Sequence, residues 1–184
     1  LAFFGATVEN LGGIPLIGLR DPAITGFQRF AKRLFDICFS TLGLVLLSPL
    51  LAVVAWAIKH EDNGPVFYRA VRVGENGKLF YMFKFRSMVA GADKIQVQIN
   101  STDEDGNLIH KTRDDPRVTR IGRFIRRTSI DELPQLINVL KGDMSLVGPR
   151  PERPFFVDQL TKEIPFYAVR HSVKPGVTGW AQVR

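Results

Sequence analysis

The chain has 184 residues, a formal charge of +7 and a sequence pI near 9.9. That length suits one ordinary domain with some extra sequence, and a single cysteine, Cys38, excludes an intrachain disulfide. The basic balance favours a polyanionic partner: nucleic acid, an anionic membrane surface or a phosphorylated substrate. No internal repeat or long low-complexity tract is visible. The chain starts at Leu1 and stops at Arg184, and reads as a piece of a longer protein.

Residues 1–27 are punctuated by Gly and Pro ("LGGIPLIGLRDP") and read as a linker or the tail of a preceding domain. A basic amphipathic stretch, "FQRFAKRLFD", follows. From Ile37 to Ile58 no residue is charged. A helix over such a run would be ~33 Å long, enough for a bilayer core of ~30 Å. The run lacks a signal-peptide cleavage pattern. Pro49 sits at its midpoint, where it removes a backbone donor and crowds the preceding turn. Both flanks are basic, with Arg29, Lys32 and Arg33 before and Lys59, Arg69 and Arg72 after. Loops rich in Lys and Arg stay cytoplasmic. A helix that enters, breaks at Ser48-Pro49 and leaves on the same side satisfies both features, with Ser48 bonding a carbonyl near the break. A Pro-kinked spanning helix is the other reading.

Next, "VFYRAVRVG" and "KLFYMFKFRSM" are rich in β-branched and aromatic residues and flank Asn76-Gly77, which predicts a hairpin near 66–86. Residues 87–99 read as helical and 100–107 as an exposed polar loop. "RIGRFIRR" places Ile121, Phe124 and Ile125 at helical spacing with arginines opposite. "DELPQLINVLKG" predicts a short helix closed by Gly142. "SLVGPRPERP" reads as a stiff extended loop, "VDQLTKEIPFYAVRHSV" as one or two short helices, and "KPGVTGW" as a turn.

The chemistry concentrates in "RRTSIDELPQLINVLKGDMSLVGPRPERP". Adjacent carboxylates such as Asp131 and Glu132 diverge by about 100° in a helix interior but can converge at a helix N-terminus. Pro134 is tolerated in a first turn, so the helix is expected to begin near Ile130 or Asp131. Ser129-x-x-Glu132 also fits a capping box, and the positive end of the dipole favours ionised acids. Taken alone, the pair reads first as a plain N-cap, Asp131, and a first-turn acid, Glu132. Arg117, Arg120, Arg123 and Arg126 recur every third residue, which suits a solvated or headgroup-facing stripe. Prolines 149, 151 and 154 restrict the backbone around Arg150, which suits a guanidinium holding a phosphate, or a rigid connector. Lys84 and Arg86 alternate with Phe83 and Phe85 and are placed to reach a diphosphate or solvent. Two carboxylates able to hold a divalent cation, with cations around them and an apolar anchor, point to phosphoryl chemistry on a lipid.

These motifs, with "KRLFD…SP" before them and "KPGVTGW" after, closely resemble the bacterial sugar transferase family over roughly 28–184. These are the monotopic phosphoglycosyl transferases, or polyprenyl glycosylphosphotransferases. The resemblance implies transfer of a sugar-1-phosphate from a UDP-sugar to undecaprenyl phosphate with release of UMP, the first membrane step of exopolysaccharide, capsule or O-antigen synthesis. It implies Asp131 as the nucleophile of a covalent phosphosugar intermediate and Glu132 as a ligand, with Asp131, of Mg²⁺. It also implies Lys84, Arg126 and Arg150 near the phosphates and Ser48-Pro49 as the break of a re-entrant membrane helix.

The expected fold is mainly α with a small β-hairpin (α+β), membrane-associated through a re-entrant helix-break-helix anchor and amphipathic surface helices. Its expected parts are a linker (1–27), a basic re-entrant anchor (28–60) and a cytoplasmic catalytic domain (61–184). That domain is expected to continue past Arg184, and the linker to follow further domains upstream. The expected partners are UDP-sugar, undecaprenyl phosphate and membrane lipid at the bacterial inner membrane. Nucleic acid is not expected, and self-association is left open. A metal-dependent nucleotide-sugar hydrolase and a non-enzymatic basic membrane adaptor are the alternatives.

Overall fold

The computed structural model describes residues 7–11, 14–18, 26–92, 115–179 and 182. The chain divides into two compact units, Leu1–Phe35 and Asp36–Arg184. In the first, β1 (Thr7–Leu11) and β2 (Ile14–Gly18) form an antiparallel hairpin with Thr7 opposite Gly18, an element not foreseen in the expected linker.

The order then runs α1 (Gly26–Asp62), β3 (Phe67–Val73), β4 (Leu79–Phe85), α2 (Arg120–Arg127), a 3₁₀ turn (Ile130–Glu132) and α3 (Gln135–Lys141). It closes with β5 (Ser145–Val147), α4 (Pro154–Glu163), a 3₁₀ segment (Tyr167–Ser172) and β6 (Gly176–Thr178). The mainly helical composition and the hairpin agree with the expected α+β class.

Helix α1 is long and apolar enough to cross a membrane, with a mean hydropathy of 2.4 in its most apolar window. It presents Leu42, Leu46, Val53 and Trp56 outward. The expected helix-break-helix is corrected here, because α1 runs without interruption through Ser48 and Pro49. The local reason is chemical. Pro49 has no N–H for the carbonyl four residues back, that of Val45. The Ser48 hydroxyl donates to that same carbonyl at 2.8 Å, so the proline leaves no orphan acceptor.

Three acids of α1 join it to the rest of the second unit. Buried Asp36 accepts through Oδ1 from the Ser145 hydroxyl at 3.1 Å and the Leu146 N–H at 3.0 Å. Glu61 accepts from the Arg120 and Ile121 N–H groups at the start of α2, donors that a helix leaves unpaired. Asp62 pairs with the buried Arg86 guanidinium. Gly64 makes room for that side chain, since a Cβ there would lie 1.8 Å from Arg86 Nη1.

The hairpin β3–β4 is antiparallel, with Phe67 opposite Phe85 and Val73 opposite Leu79, as its Asn-Gly signal predicts. Asn76 and Gly77 both take positive φ. Residues 87–91 are not part of the expected helix, which is helical only at Ala92 among the described residues: Met88 bridges Val118, and Val89 N–H donates to the Arg117 carbonyl. Residues 93–99 and the loop expected at 100–107 lie outside the described residues. "KPGVTGW" also differs from expectation. Its Gly176–Thr178 is a strand, parallel to β5, with Ser145 opposite Gly176. The close approach requires glycines, because a Cβ on Gly176 would lie 2.1 Å from the Gly148 nitrogen.

Two apolar clusters organise this unit. Val54, Ile58, Phe85 and Ile125 join α1 to β4 and α2, with Ile130 packed against them. Ala70, Met82, Val139 and Met144 join the hairpin to α3 and β5. Between these elements lies Asn138, with no exposed surface. Its Oδ1 accepts from Phe83 N–H at 2.9 Å and its Nδ2 donates to the Tyr81 carbonyl at 2.7 Å.

The Ser48–Val45 bond yields a double-mutant prediction. Ser48→Ala should lower melting temperature in detergent, a loss on the order of 0.5–1.5 kcal/mol for one hydrogen bond. Adding Pro49→Ala restores an N–H for the Val45 carbonyl, so the double variant should recover most of that loss. Simple additivity of the two substitutions would refute the pairing.

Candidate active site

The acid pair reaches its position through an unusual turn. Helix α2 is capped by Thr119, whose side chain accepts from Gly122 N–H, and it buries Ile125. Gly122 lets it sit on the backbone after β4, since a Cβ would meet the Ser87 carbonyl oxygen at 2.0 Å. Phe124, expected on the inward face, is 59 % exposed. At the end of α2, Ser129 takes the left-handed conformation, with φ 57°. That conformation is costly for a residue with a Cβ and concentrates at functional sites.

Asp131 and Glu132 follow in the 3₁₀ turn, not at the start of an α-helix. Glu132 N–H donates to the Ser129 carbonyl, and the Ser129 side chain makes no capping bond, so the expected capping box is absent. Pro134 precedes α3 as its N-cap, so the helix begins at Gln135, later than expected. Gly142 closes it in the left-handed conformation, as expected.

Lys84 Nζ donates to Glu132 Oε1 at 2.6 Å. Arg126 is held from the other side, its Nε donating to the Ser87 hydroxyl at 2.8 Å. Asp131 lies between these charges. Burial raises its pKa above the ordinary carboxylate value and the Glu132 charge adds to the rise, while Lys84, then Arg126 and its own backbone N–H oppose it. The expected arginine stripe does not hold at its first member. Arg117 precedes α2 and pairs through Nη2 with Asp115 Oδ2 at 2.6 Å, and that bonding lowers the Asp115 pKa.

Arg150 sits in the loop after β5. Its carbonyl accepts from Arg170 Nη2 at 2.7 Å, the preceding Pro149 carbonyl accepts from Gly176 N–H at 2.9 Å, and Glu152 O accepts from Val73 N–H at 3.0 Å. The stiffness expected of the prolines is therefore reinforced by three hydrogen bonds. A cleft opens here, lined by Lys84, Glu132 and Arg150 together with Arg72, Glu152 and Arg153. Asp131 does not line it and remains in the adjoining turn. Arg86, weighed as a second phosphate contact beside Lys84, belongs instead to the ion pair with Asp62.

The residues suit a divalent cation shared with a substrate. Among the described residues no three His, Cys, Asp or Glu side chains gather around one point. Asp131 and Glu132 are the acids at hand, and Lys84 already bonds one oxygen of Glu132. Mg²⁺ commonly binds one or two carboxylates and takes further oxygens from substrate phosphates, so this donor set fits such a shared ion.

Sequence reading missed four residues that shape the site: Ser87, which holds Arg126; Asn138, which ties α3 to β4; and Arg72 and Arg153 of the cleft. Arg153 stands in the quoted "GPRPERP" and Arg72 on the face of β3 that pairs Tyr68 with Lys84. Period-two alternation was therefore the available signal for Arg72.

An acid pair among fixed cations has the chemistry to hold phosphorylated ligands. Residues 27–184 match the bacterial sugar transferase family, and the chain belongs to it. It is 46% identical over 177 residues, 96% of this chain and 36% of the relative, to the UDP-glucose:undecaprenyl-phosphate glucose-1-phosphate transferase of Escherichia coli (strain K12). It is 49% identical over 154 residues, 84% of this chain and 34% of the relative, to the UDP-N-acetylgalactosamine-undecaprenyl-phosphate N-acetylgalactosaminephosphotransferase of Aeromonas hydrophila. It is 45% identical over 174 residues, 92% of this chain and 36% of the relative, to the undecaprenyl-phosphate galactose phosphotransferase of Salmonella typhimurium. The chain thus spans about a third of the length of these relatives.

The raised pKa of Asp131 gives a stability prediction with a definite sign. A carboxyl whose folded pKa exceeds its unfolded one stabilises the fold while protonated, and that contribution is lost as pH rises through the folded pKa. At neutral pH ionised Asp131 therefore costs stability. Asp131→Asn should melt at the same temperature or higher than wild type at pH 7, and the difference should shrink as pH falls towards the carboxylate range. A variant markedly less stable at pH 7 would make Asp131 a structural cap.

Proposed function

We propose that this chain is the catalytic part of a membrane-bound phosphoglycosyl transferase, moving a sugar-1-phosphate from a UDP-sugar to undecaprenyl phosphate with release of UMP. The observation that carries the reading is the Asp131-Glu132 turn beside Lys84 and Arg126. It stands in a chain of a family whose relatives are named for this transfer. The named sugars differ among the relatives, so the sugar is not assigned.

In this reading a carboxylate oxygen of Asp131 attacks the phosphorus bearing the sugar. The bond from that phosphorus to the bridging oxygen breaks, and UMP departs with the electron pair. An aspartyl phosphosugar remains. A phosphate oxygen of undecaprenyl phosphate then attacks the same phosphorus, breaks the acyl phosphate bond and returns Asp131 to its carboxylate. Lys84, Arg126 and Arg150 balance phosphate charge as it redistributes. Glu132 and Asp131 would hold Mg²⁺, which when bound neutralises diphosphate oxygens and helps the nucleotide leave. Because attack requires ionised Asp131, its raised pKa shifts the acid limb of the rate profile to higher pH than an ordinary aspartate would give.

The exposed apolar face of α1 supports membrane association, and its basic flanks support a cytoplasmic location for both ends. The proposed anchor is re-entrant through a bend at Pro49 within the continuous α1, where the missing N–H and the Ser48 bond to the Val45 carbonyl loosen the helical ladder.

Mixing enzyme, Mg²⁺ and a panel of UDP-sugars without acceptor should release at most about one UMP per enzyme and leave a phosphosugar on the peptide containing Asp131, the pattern of ping-pong kinetics. Asp131→Asn should abolish both while keeping its fold. Steady UMP release without acceptor would instead indicate a hydrolase, and an adduct on the Asn variant would move the nucleophile elsewhere.

For topology, cysteines placed at Arg29 and Asn63 in a Cys38→Ser background should both be labelled only from the cytoplasmic side. Labelling of either from outside intact cells would establish a spanning helix.

A further inference from the structure

Two clefts meet at Glu132 and Arg150. The first, described above, carries Arg72, Lys84 and Arg153. Its cations outnumber its acids, and Lys84 already occupies Glu132. The Arg72 guanidinium is pushed below its ordinary range by burial, then by the charges of Arg153 and, more weakly, Arg150, with Glu152 opposing them. A bound polyanion would relieve that repulsion.

The second cleft is of a different kind. Besides Glu132 and Arg150 it is lined by the apolar Leu133, Leu136 and Val177 and the uncharged Ser129, Thr178 and Gln182. Leu136 also faces α1, where a Cβ on Gly43 would lie 3.3 Å from Leu136 Cδ1. Residues three and four apart share a helix face, and on the side of Gly43 these are Phe39 and Leu46, with Leu50 a turn further on. All three are exposed. An apolar surface therefore runs from this cleft onto the apolar helix, while the basic cleft is walled by cations of β3, β4 and the loop before α4.

We infer that the two substrates enter by separate clefts: the polyprenyl phosphate through the Leu133–Val177 cleft from the side of α1, and the nucleotide-sugar diphosphate through the Arg72–Arg153 cleft. The inference rests on the transferase reading above. The acceptor is a single phosphate on a long apolar chain, and each methylene of such a chain gains by leaving water, so it follows apolar surface. The donor is water-soluble with adjacent phosphates, and guanidinium groups recognise such oxygens in pairs. Arg150 and Glu132, shared by both clefts, mark where the phosphates of the two substrates come together.

The test separates the two half-reactions in the full chain held in nanodiscs. The donor is whichever of UDP-glucose, UDP-galactose or UDP-N-acetylgalactosamine gives UMP release with wild type. The acceptors are undecaprenyl phosphate and a water-soluble polyprenyl phosphate of two or three isoprene units. Leu133→Ser and Thr178→Trp should each raise KM for undecaprenyl phosphate about tenfold, a difference of ~1.4 kcal/mol. They should change KM for the short acceptor far less and leave acceptor-free UMP release at the wild-type rate. Thr178 is exposed, so its variant keeps the test informative where Leu133→Ser lowers the melting temperature. Arg72→Gln and Arg153→Gln should do the reverse, slowing acceptor-free UMP release or raising KM for the UDP-sugar about tenfold with kcat/KM for the acceptor unchanged. Crossed effects, or a Thr178→Trp defect equal for long and short acceptors, would overturn the assignment while the transferase reading stands. A wild-type chain that releases no UMP from any donor would overturn both.

Discussion

The site depends on one buried amide. Asn138 uses its side chain as a short length of β-strand, accepting from Phe83 and donating to Tyr81 along the edge of β4. Its own carbonyl accepts from Gly142, Asp143 and Met144, so the same residue also closes α3. The consequence is positional. Lys84 follows Phe83 directly and Glu132 lies just before α3, so fixing α3 against β4 fixes the 2.6 Å contact between them. An apolar residue at 138 would strand a buried N–H and a buried carbonyl at about 1–3 kcal/mol each. The hairpin and α3 would then share only their apolar cluster, which constrains spacing but not register. Directional bonds supply what hydrophobic contact cannot.

A second set of bonds ties α1 to the elements around the candidate site. Asp36 grips β5, Glu61 caps α2 and Asp62 holds Arg86, next in sequence to the Ser87 that positions Arg126. β5 leads into the Arg150 loop and α2 leads into the Asp131 turn. The acids of one helix therefore meet the elements that carry both halves of the site. These hydrogen bonds tie the position of α1 to that of both segments.

Much of the fold was legible because local signals agreed. The Asn-Gly turn gave the hairpin, the Ile121–Ile125 spacing gave α2, and Gly142 gave the end of α3. Misreadings arose where a distant partner decided the outcome. "KPGVTGW" has the composition of a turn, but pairing with β5 makes it a strand, and its glycine admits the neighbouring backbone instead of reversing the chain. Arg117 continued a helical stripe on paper, yet Asp115 two residues back holds it off the helix. Pro49 looked like a break because the serine's capacity to serve the orphaned carbonyl was credited to an interrupted helix, not a continuous one. Of the site, Asp131, Glu132 and Lys84 come together as the motifs suggested, with Arg126 beside them and Arg150 in the adjoining cleft. The left-handed Ser129 leaves no local pattern, and although period-two alternation marks the face of Arg72, its meeting with Arg153 joins residues far apart in sequence.

Adjacent carboxylates look wasteful, since each raises the cost of ionising the other. The 3₁₀ turn resolves this by giving the two acids different surroundings. Glu132 has a cation at hydrogen-bond distance, so its charge is largely compensated. Asp131 is partly desolvated, and the charges of Lys84 and Arg126 do not offset that burial, which leaves its carboxylate less stabilised than a free aspartate. Weaker stabilisation of the anion means a more basic, more reactive oxygen. An α-helical first turn, where the dipole and N–H groups favour both acids alike, would blunt that difference. The left-handed Ser129 is what keeps the pair out of such a turn, so its backbone strain is tied directly to the inequality of the two acids.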